Sequence, residues 1–152
     1  MFALVYVSEV TSSISISKQE LSDLVILASA KNRSLAVTGF LQYSEPQFFQ
    51  YLEGEKSVVL DLMDTIDRDP RHTVKRIVHL PKVRSRQFEN WHMRHVTNER
   101  FNAMDLISLL QMVLLEMDDS QADIGYYTKD RIMRLVTRLA KQHREYPRTF
   151  DL

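Results

Sequence analysis

LAVTGFLQYSEPQFFQYLEG, residues 35–54, decides how this chain folds. Two runs rich in aromatic and branched residues flank the short SEP connection, where Pro46 has no ladder N–H to offer and suits a turn. The stretch therefore reads as an antiparallel hairpin. In its second arm, QFFQYLEG (47–54), a strand places Phe48, Gln50 and Leu52 on one face and Phe49 and Tyr51 on the other. Both faces are apolar apart from Gln50, whose amide occupies a position that a core strand normally fills with Val or Leu. What Gln50 bonds to is the functional question.

Working outward, FALVYVS (2–8) alternates as a first strand, with Phe2, Leu4 and Tyr6 on one face. Ser17 and Glu20 stand at capping-box spacing ahead of Leu21, Leu24, Val25 and Ala28, which opens a helix. After the hairpin, EKSVVLDLMDTID (55–67) carries a helical stripe of Val58, Val59, Leu62, Met63 and Ile66 before Pro70 stops it. VKRIVHLPKV (74–83) reads as a strand and the stretch around WHMRHV (91–96) as a further short one. The order βαββαβ(β) implies an α+β, ferredoxin-like sandwich with two helices on one face of a mixed, mainly antiparallel sheet. From Phe101 the pattern changes. An almost wholly apolar run, with Met104, Leu106, Ile107, Leu109, Leu110, Val113, Leu114 and Leu115, precedes an amphipathic stripe of Ile132, Leu135, Val136, Leu139 and Ala140. Two appended C-terminal helices are expected, packing on the sheet face opposite the first two.

Composition narrows the function classes. A chain of 152 residues fits one domain with an appended element, and without cysteine it has neither disulfides nor thiolate metal sites. Twenty basic residues balance twenty acidic ones, which removes the electrostatic footprint of a dedicated nucleic-acid binder. MFALVYVSEV reads as a strand and lacks the basic n-region of a signal peptide, so a cytoplasmic location is expected. LISLLQMVLLEM is short and interrupted by Ser108, Gln111 and Glu116, too polar to span a bilayer. The five histidines carry no recognised ligand spacing, so no metal site is expected, and Asp61, Asp64, Asp67 and Asp69 read as a solvated face.

Taken singly, Gln50 is most simply a structural amide, Tyr6 an aromatic filler and Asn32 a helix C-cap. Together they say more, because the first and third strands are neighbours in this topology and the end of the first helix approaches the same face. A phenol and two amides converging on one place suit a flat heterocycle edged with carbonyls and ring nitrogens. Leu24, Val37, Phe48 and Ile66 would wall such a pocket, with Leu52 on the strand face that carries Gln50.

LVYVS, then AKNRSLAVTGFLQYSEPQFFQYLEG, then DRDPRH, then RQFENWHM resembles the BLUF family of blue-light sensors that bind flavin, across residues 1–97. The resemblance implies that Tyr6 is the photoactive tyrosine, passing an electron and then a proton to light-excited flavin. It makes Gln50 the switching glutamine and Asn32 a contact to the isoalloxazine edge. It places Asp69, Arg71 and His72 near the pyrimidine end of the ring. Trp91 and Met93 match a pair that can exchange places beside the glutamine, and the sequence leaves open which lies inside. Lys31 departs from the pattern, since many members have two consecutive asparagines where this chain has Lys31-Asn32; here it is assigned to the ribityl chain or a phosphate, with solvent exposure an equal alternative. FAD is the expected cofactor, with FMN and riboflavin as alternatives. No enzymatic activity is expected. Residues 98–152 are expected to form an output and oligomerisation extension, serving a homo-oligomer and a separate signalling protein, with neither nucleic acid nor membrane as partner. Two competing readings are an RNA-binding module of the same fold and a small flavin-dependent enzyme.

Overall fold

A computed structural model describes residues 1–11, 15–80, 83–96 and 125–145. Its elements in chain order are β1 (Phe2–Val10), α1 (Lys18–Ser34), β2 (Thr38–Ser44), β3 (Gln47–Gly54), α2 (Lys56–Asp67), β4 (His72–Leu80), β5 (Arg94–His95) and α3 (Tyr126–Glu145). The strands form a sheet of order β4-β1-β3-β2-β5. Every pair is antiparallel except β2 with β5, which gives the mixed α+β, ferredoxin-like arrangement that the residue pattern implies. The hairpin closes through a cis Glu45–Pro46 bond and pairs Leu41 with Gln50 and Gly39 with Leu52. At Gly39 a Cβ would lie 1.9 Å from the Tyr51 carbonyl oxygen, so only glycine lets the two strands approach here.

The capping box at Ser17 and Glu20 is formed in both directions, and α1 runs from it to Ser34. Its apolar residues behave unlike a core stripe. Only Leu21 and Asn32 are buried, Leu24, Val25 and Ala28 are half-buried, and Leu27 is 70% exposed. The helix stands off the sheet and leaves a gap that its own side chains do not fill. α2 packs more closely, burying Val59, Leu62 and Met63. β4 starts at His72, two residues earlier than the pattern suggests, because β1 continues past an irregularity at Val7/Ser8 and pairs Val10 with His72.

Two apolar layers result. Leu4, Tyr6, Leu41, Phe48 and Leu52 face α1 and α2, while Val5, Val7, Phe40, Phe49 and Tyr51 face the other way. α3 covers that second face with Ile132, Val136, Leu139 and Ala140, and Leu135 is half-buried beside them. The more apolar of the two expected C-terminal helices, with its Met104 to Leu115 run, lies outside the described residues. Among the described residues no helix is long and apolar enough to cross a membrane.

Candidate functional site

The gap beneath α1 is a cavity of about 890 Å³, floored by the sheet and walled by α1 and α2. Tyr6 and Gln50 are directly opposed across the β1–β3 pair, so both side chains rise from the same spot on its floor. The Tyr6 hydroxyl donates a short hydrogen bond to Gln50 Oε1, and Gln50 Nε2 donates to Met93 Sδ at 3.3 Å. All three side chains are buried. Burial pushes the Tyr6 pKa well above its ordinary value, and the charge of Asp69 acts in the same direction.

Asn32, at the last turn of α1, is buried and donates from Nδ2 to the His92 carbonyl at 2.7 Å. Its second amide hydrogen and its Oδ1 remain for the cavity that it lines. His72 binds three elements together: Nε2 lies 2.6 Å from the Ile66 carbonyl and Nδ1 lies 2.7 Å from Ser8 Oγ. A carbonyl only accepts, so Nε2 carries a proton, and in the neutral ring Nδ1 accepts from the Ser8 hydroxyl. The ring stands edge-on to Tyr6 with centroids 6.3 Å apart. At the rim, Arg71 clasps Asp69 through Nη2 at 2.5 Å and Nε at 3.0 Å. That hydrogen bond, ahead of every other influence, holds the Asp69 carboxyl at about 2.

The structure brings Tyr6, Leu24, Lys31, Asn32, Phe48, Gln50, Ile66, Asp69, Arg71 and His72 to one cavity. Val37 and Leu52, expected on its wall, are not there. Both are fully buried: Val37 packs over Gly54 at the start of β2, and Leu52 lies two residues along β3, opposite Leu4 and Gly39. Of the two residues left open, Met93 stands beside Gln50. Trp91 lies on the reverse face, stacked on Phe88 at 5.2 Å and against the His143 ring at 4.1 Å. Sequence reasoning missed Ile16, Leu27, Leu41, Leu62 and Thr65 on the wall. Leu27 carried a signal, being apolar yet off the stripe that packs α1. Leu62 carried none, since a core residue and a cavity wall share one periodicity.

An RNA-binding module of this fold would show stacking aromatics on an open sheet face. Phe48, Phe49 and Tyr51 on β3 are instead all buried, with α3 over the face that carries the last two.

Comparison with known proteins agrees with the geometry. The profile of the BLUF family, sensors of blue light using FAD, matches residues 1–94. Photoactivated adenylate cyclase subunit beta of Euglena longa is 30% identical over 135 residues, which is 88% of this chain and 15% of that protein. Subunit alpha of the Euglena gracilis cyclase is 33% identical over 97 residues, 62% of this chain and 10% of that one. The chain thus spans only a small part of these curated relatives. Among solved structures, the BLUF protein BlrB in its dark state shares the fold at a TM-score of 0.64 and 23% identity, covering 93% of this chain and 96% of that one. Klebsiella pneumoniae BlrP1 with FMN and cyclic diGMP is similar at a TM-score of 0.60 and 29% identity, over 95% of this chain and 36% of that one. A profile match across more than half of the chain, on the segment that builds the cavity, places this protein in the BLUF family, sensors of blue light that use FAD.

Proposed function

We propose that this chain holds a flavin non-covalently in the α1–α2 cavity and turns blue light into a change of hydrogen bonding at Gln50. The observation that carries the reading is the hydrogen-bonded chain Tyr6–Gln50–Met93, whose first two members line the cavity floor. The cavity falls within the roughly 300–1,000 Å³ of small-molecule sites, and most of its wall area is apolar, with polar side chains such as Gln50, Asn32 and Arg71 set among Leu24, Phe48 and Ile66. A phenol and two amides suit the carbonyls and ring nitrogens of an isoalloxazine. Asn32 and Gln50 would hold its edge, with Lys31, Asp69 and Arg71 toward the mouth. When bound, flavin supplies blue-light absorption and a strongly oxidising excited state.

Burial keeps Tyr6 protonated across the physiological range, so a proton is always in place on its hydroxyl. Once Tyr6 gives up an electron its phenol becomes strongly acidic, and the proton moves along the existing bond to Gln50 Oε1. Return of the electron and proton restores Tyr6. What persists is the Gln50 amide, which by rotation or by conversion to its imidic-acid tautomer presents a donor where it had an acceptor. A thioether sulfur is a weak acceptor, so Met93 orients Nε2 without locking it. Output passes to a separate signalling protein through the residues that follow β5, within the cytoplasm.

FAD is the first candidate, with FMN and riboflavin as alternatives. Purified protein should be yellow, its flavin bands shifting slightly to the red in blue light and returning in the dark. Protein that stays colourless in excess FAD, FMN and riboflavin overturns the reading.

A further inference from the structure

Glu53 lies three residues from Gln50 on β3, on the reverse side of the sheet, and no part of its side chain reaches solvent. A buried carboxylate is costly unless its lone pairs are met. Here they are: Oε1 accepts from Thr38 Oγ1 at 2.9 Å and from the Phe88 N–H at 2.8 Å, Oε2 accepts from the Tyr51 hydroxyl at 2.9 Å, and the Gln87 N–H reaches both oxygens. The Gln87 and Phe88 N–H groups can only donate, so both carboxyl oxygens serve them as acceptors. Arg86 completes the arrangement. Its Nη1 donates to Thr38 Oγ1 at 2.7 Å, which leaves the Thr38 hydroxyl proton for Glu53, and its Nη2 donates to the Ala36 carbonyl at 3.0 Å.

The consequence is that residues 86–88 are tied to the β2–β3 pair at one fixed place. From there the chain is held step by step: Trp91 N–H donates to the Phe88 carbonyl at 3.2 Å, the Trp91 carbonyl accepts from Gly39 at 2.7 Å, and the His92 carbonyl accepts from Asn32. The next residue is Met93, whose sulfur meets the Gln50 amide. We infer that Glu53 is a positioning residue for the light response, holding segment 86–93 from the reverse face so that Met93 stays seated on Gln50. This rests on the photoreceptor reading above and adds to it a group that touches neither the cavity nor Gln50.

The test is a mutant cycle on the flavin-loaded full chain. Glu53→Gln keeps the shape but turns an N–H₂ toward donors. It should retain flavin and change the rate of dark recovery by about threefold or more, and most of that change should vanish when Met93 is already Leu. Thr38→Val, a milder variant that removes one donor and the Arg86 link, should move the rate in the same direction by a smaller factor, and it decides the matter if Glu53→Gln does not fold. The inference is overturned if these variants recover like the parent, if they alter thermal stability alone, or if the Glu53→Gln effect is undiminished beside Met93→Leu. Parent protein that binds flavin but never shifts would instead overturn the photoreceptor reading, and this inference with it.

Discussion

Gln50 occupies a place where a hydrocarbon would pack as well, and its amide is useful only for its two-sided hydrogen bonding. Tyr6→Phe should therefore keep flavin and lose the light-induced red shift. It should also lower stability by about 1–3 kcal/mol, because Gln50 Oε1 loses its donor. Gln50→Leu should likewise stay yellow and lose the shift; either variant with an ordinary photocycle sinks the assigned roles. Ala36 sits at φ 53°, a left-handed conformation that costs an L-residue about 1–2 kcal/mol. Ala36→Gly removes that strain and adds chain entropy to the unfolded state, for a net gain of up to about 1 kcal/mol, readable as a melting temperature higher by a few degrees. At this scale the sequence was legible where residue type was anomalous. An amide in an aromatic strand stands out, whereas a glutamate near a strand end, as Glu53 is in LEG, is ordinary. Nothing local shows that residues 86–88 will cover it, because that contact joins positions more than thirty apart.

Between α2 and β4 the chain turns through Asp69, Pro70 and Arg71, and this short connection carries a pH signature. Asp69 is held at about 2 against an ordinary 3.8, chiefly by the Arg71 hydrogen bond. A carboxyl depressed in the folded state contributes stability above the unfolded pKa, and that contribution fades as pH falls from about 4 toward 2, where the unfolded chain has already taken up the proton. Thermal melts of the parent and Arg71→Leu should differ at neutral pH and converge across that window. Arg71 is 71% exposed, so solvent screens the pair and the neutral-pH difference should stay below about 1 kcal/mol. A gap that persists unchanged at pH 2 would assign the effect to something other than this ion pair. The strand and helix order followed from periodicity, the α1 start from Ser17 and Glu20, and the hairpin from Pro46. The early start of β4 did not, since it depends on how far β1 extends beyond the irregularity at Val7/Ser8. Nor did the stand-off of α1, which periodicity reports only as a face and never as a distance.

For the molecule as a whole, α3 already covers the second sheet face, so the proposal of association, a homo-oligomer of two or more copies whose assembly changes with light, rests on the apolar run at 104–115. Sedimentation in darkness and under blue light tests this; a monomer in both states would leave only a separate protein as the receiver. The family's two-layer plan was readable from β1 to β5, because several separate motifs fall on that stretch. The choice of Met93 over Trp91 beside Gln50 was not, as both residues fit either face by composition and only the docking of segment 86–93 distinguishes them. The strand order has one more consequence, concerning solubility. Among the described residues the sheet ends on one side at β5, a strand of only two residues, and on the other at β4, where Thr73, Lys75 and His79 stand exposed along with Ile77. A stub offers almost no backbone to template a neighbour, and a charged, half-polar edge resists a flat hydrophobic partner. Among the described residues, neither rim invites growth by strand addition. Copies of this chain would then meet through side chains on their helical faces, contacts that can be broken and remade, and be spared the edge-to-edge pairing that leads to fibres.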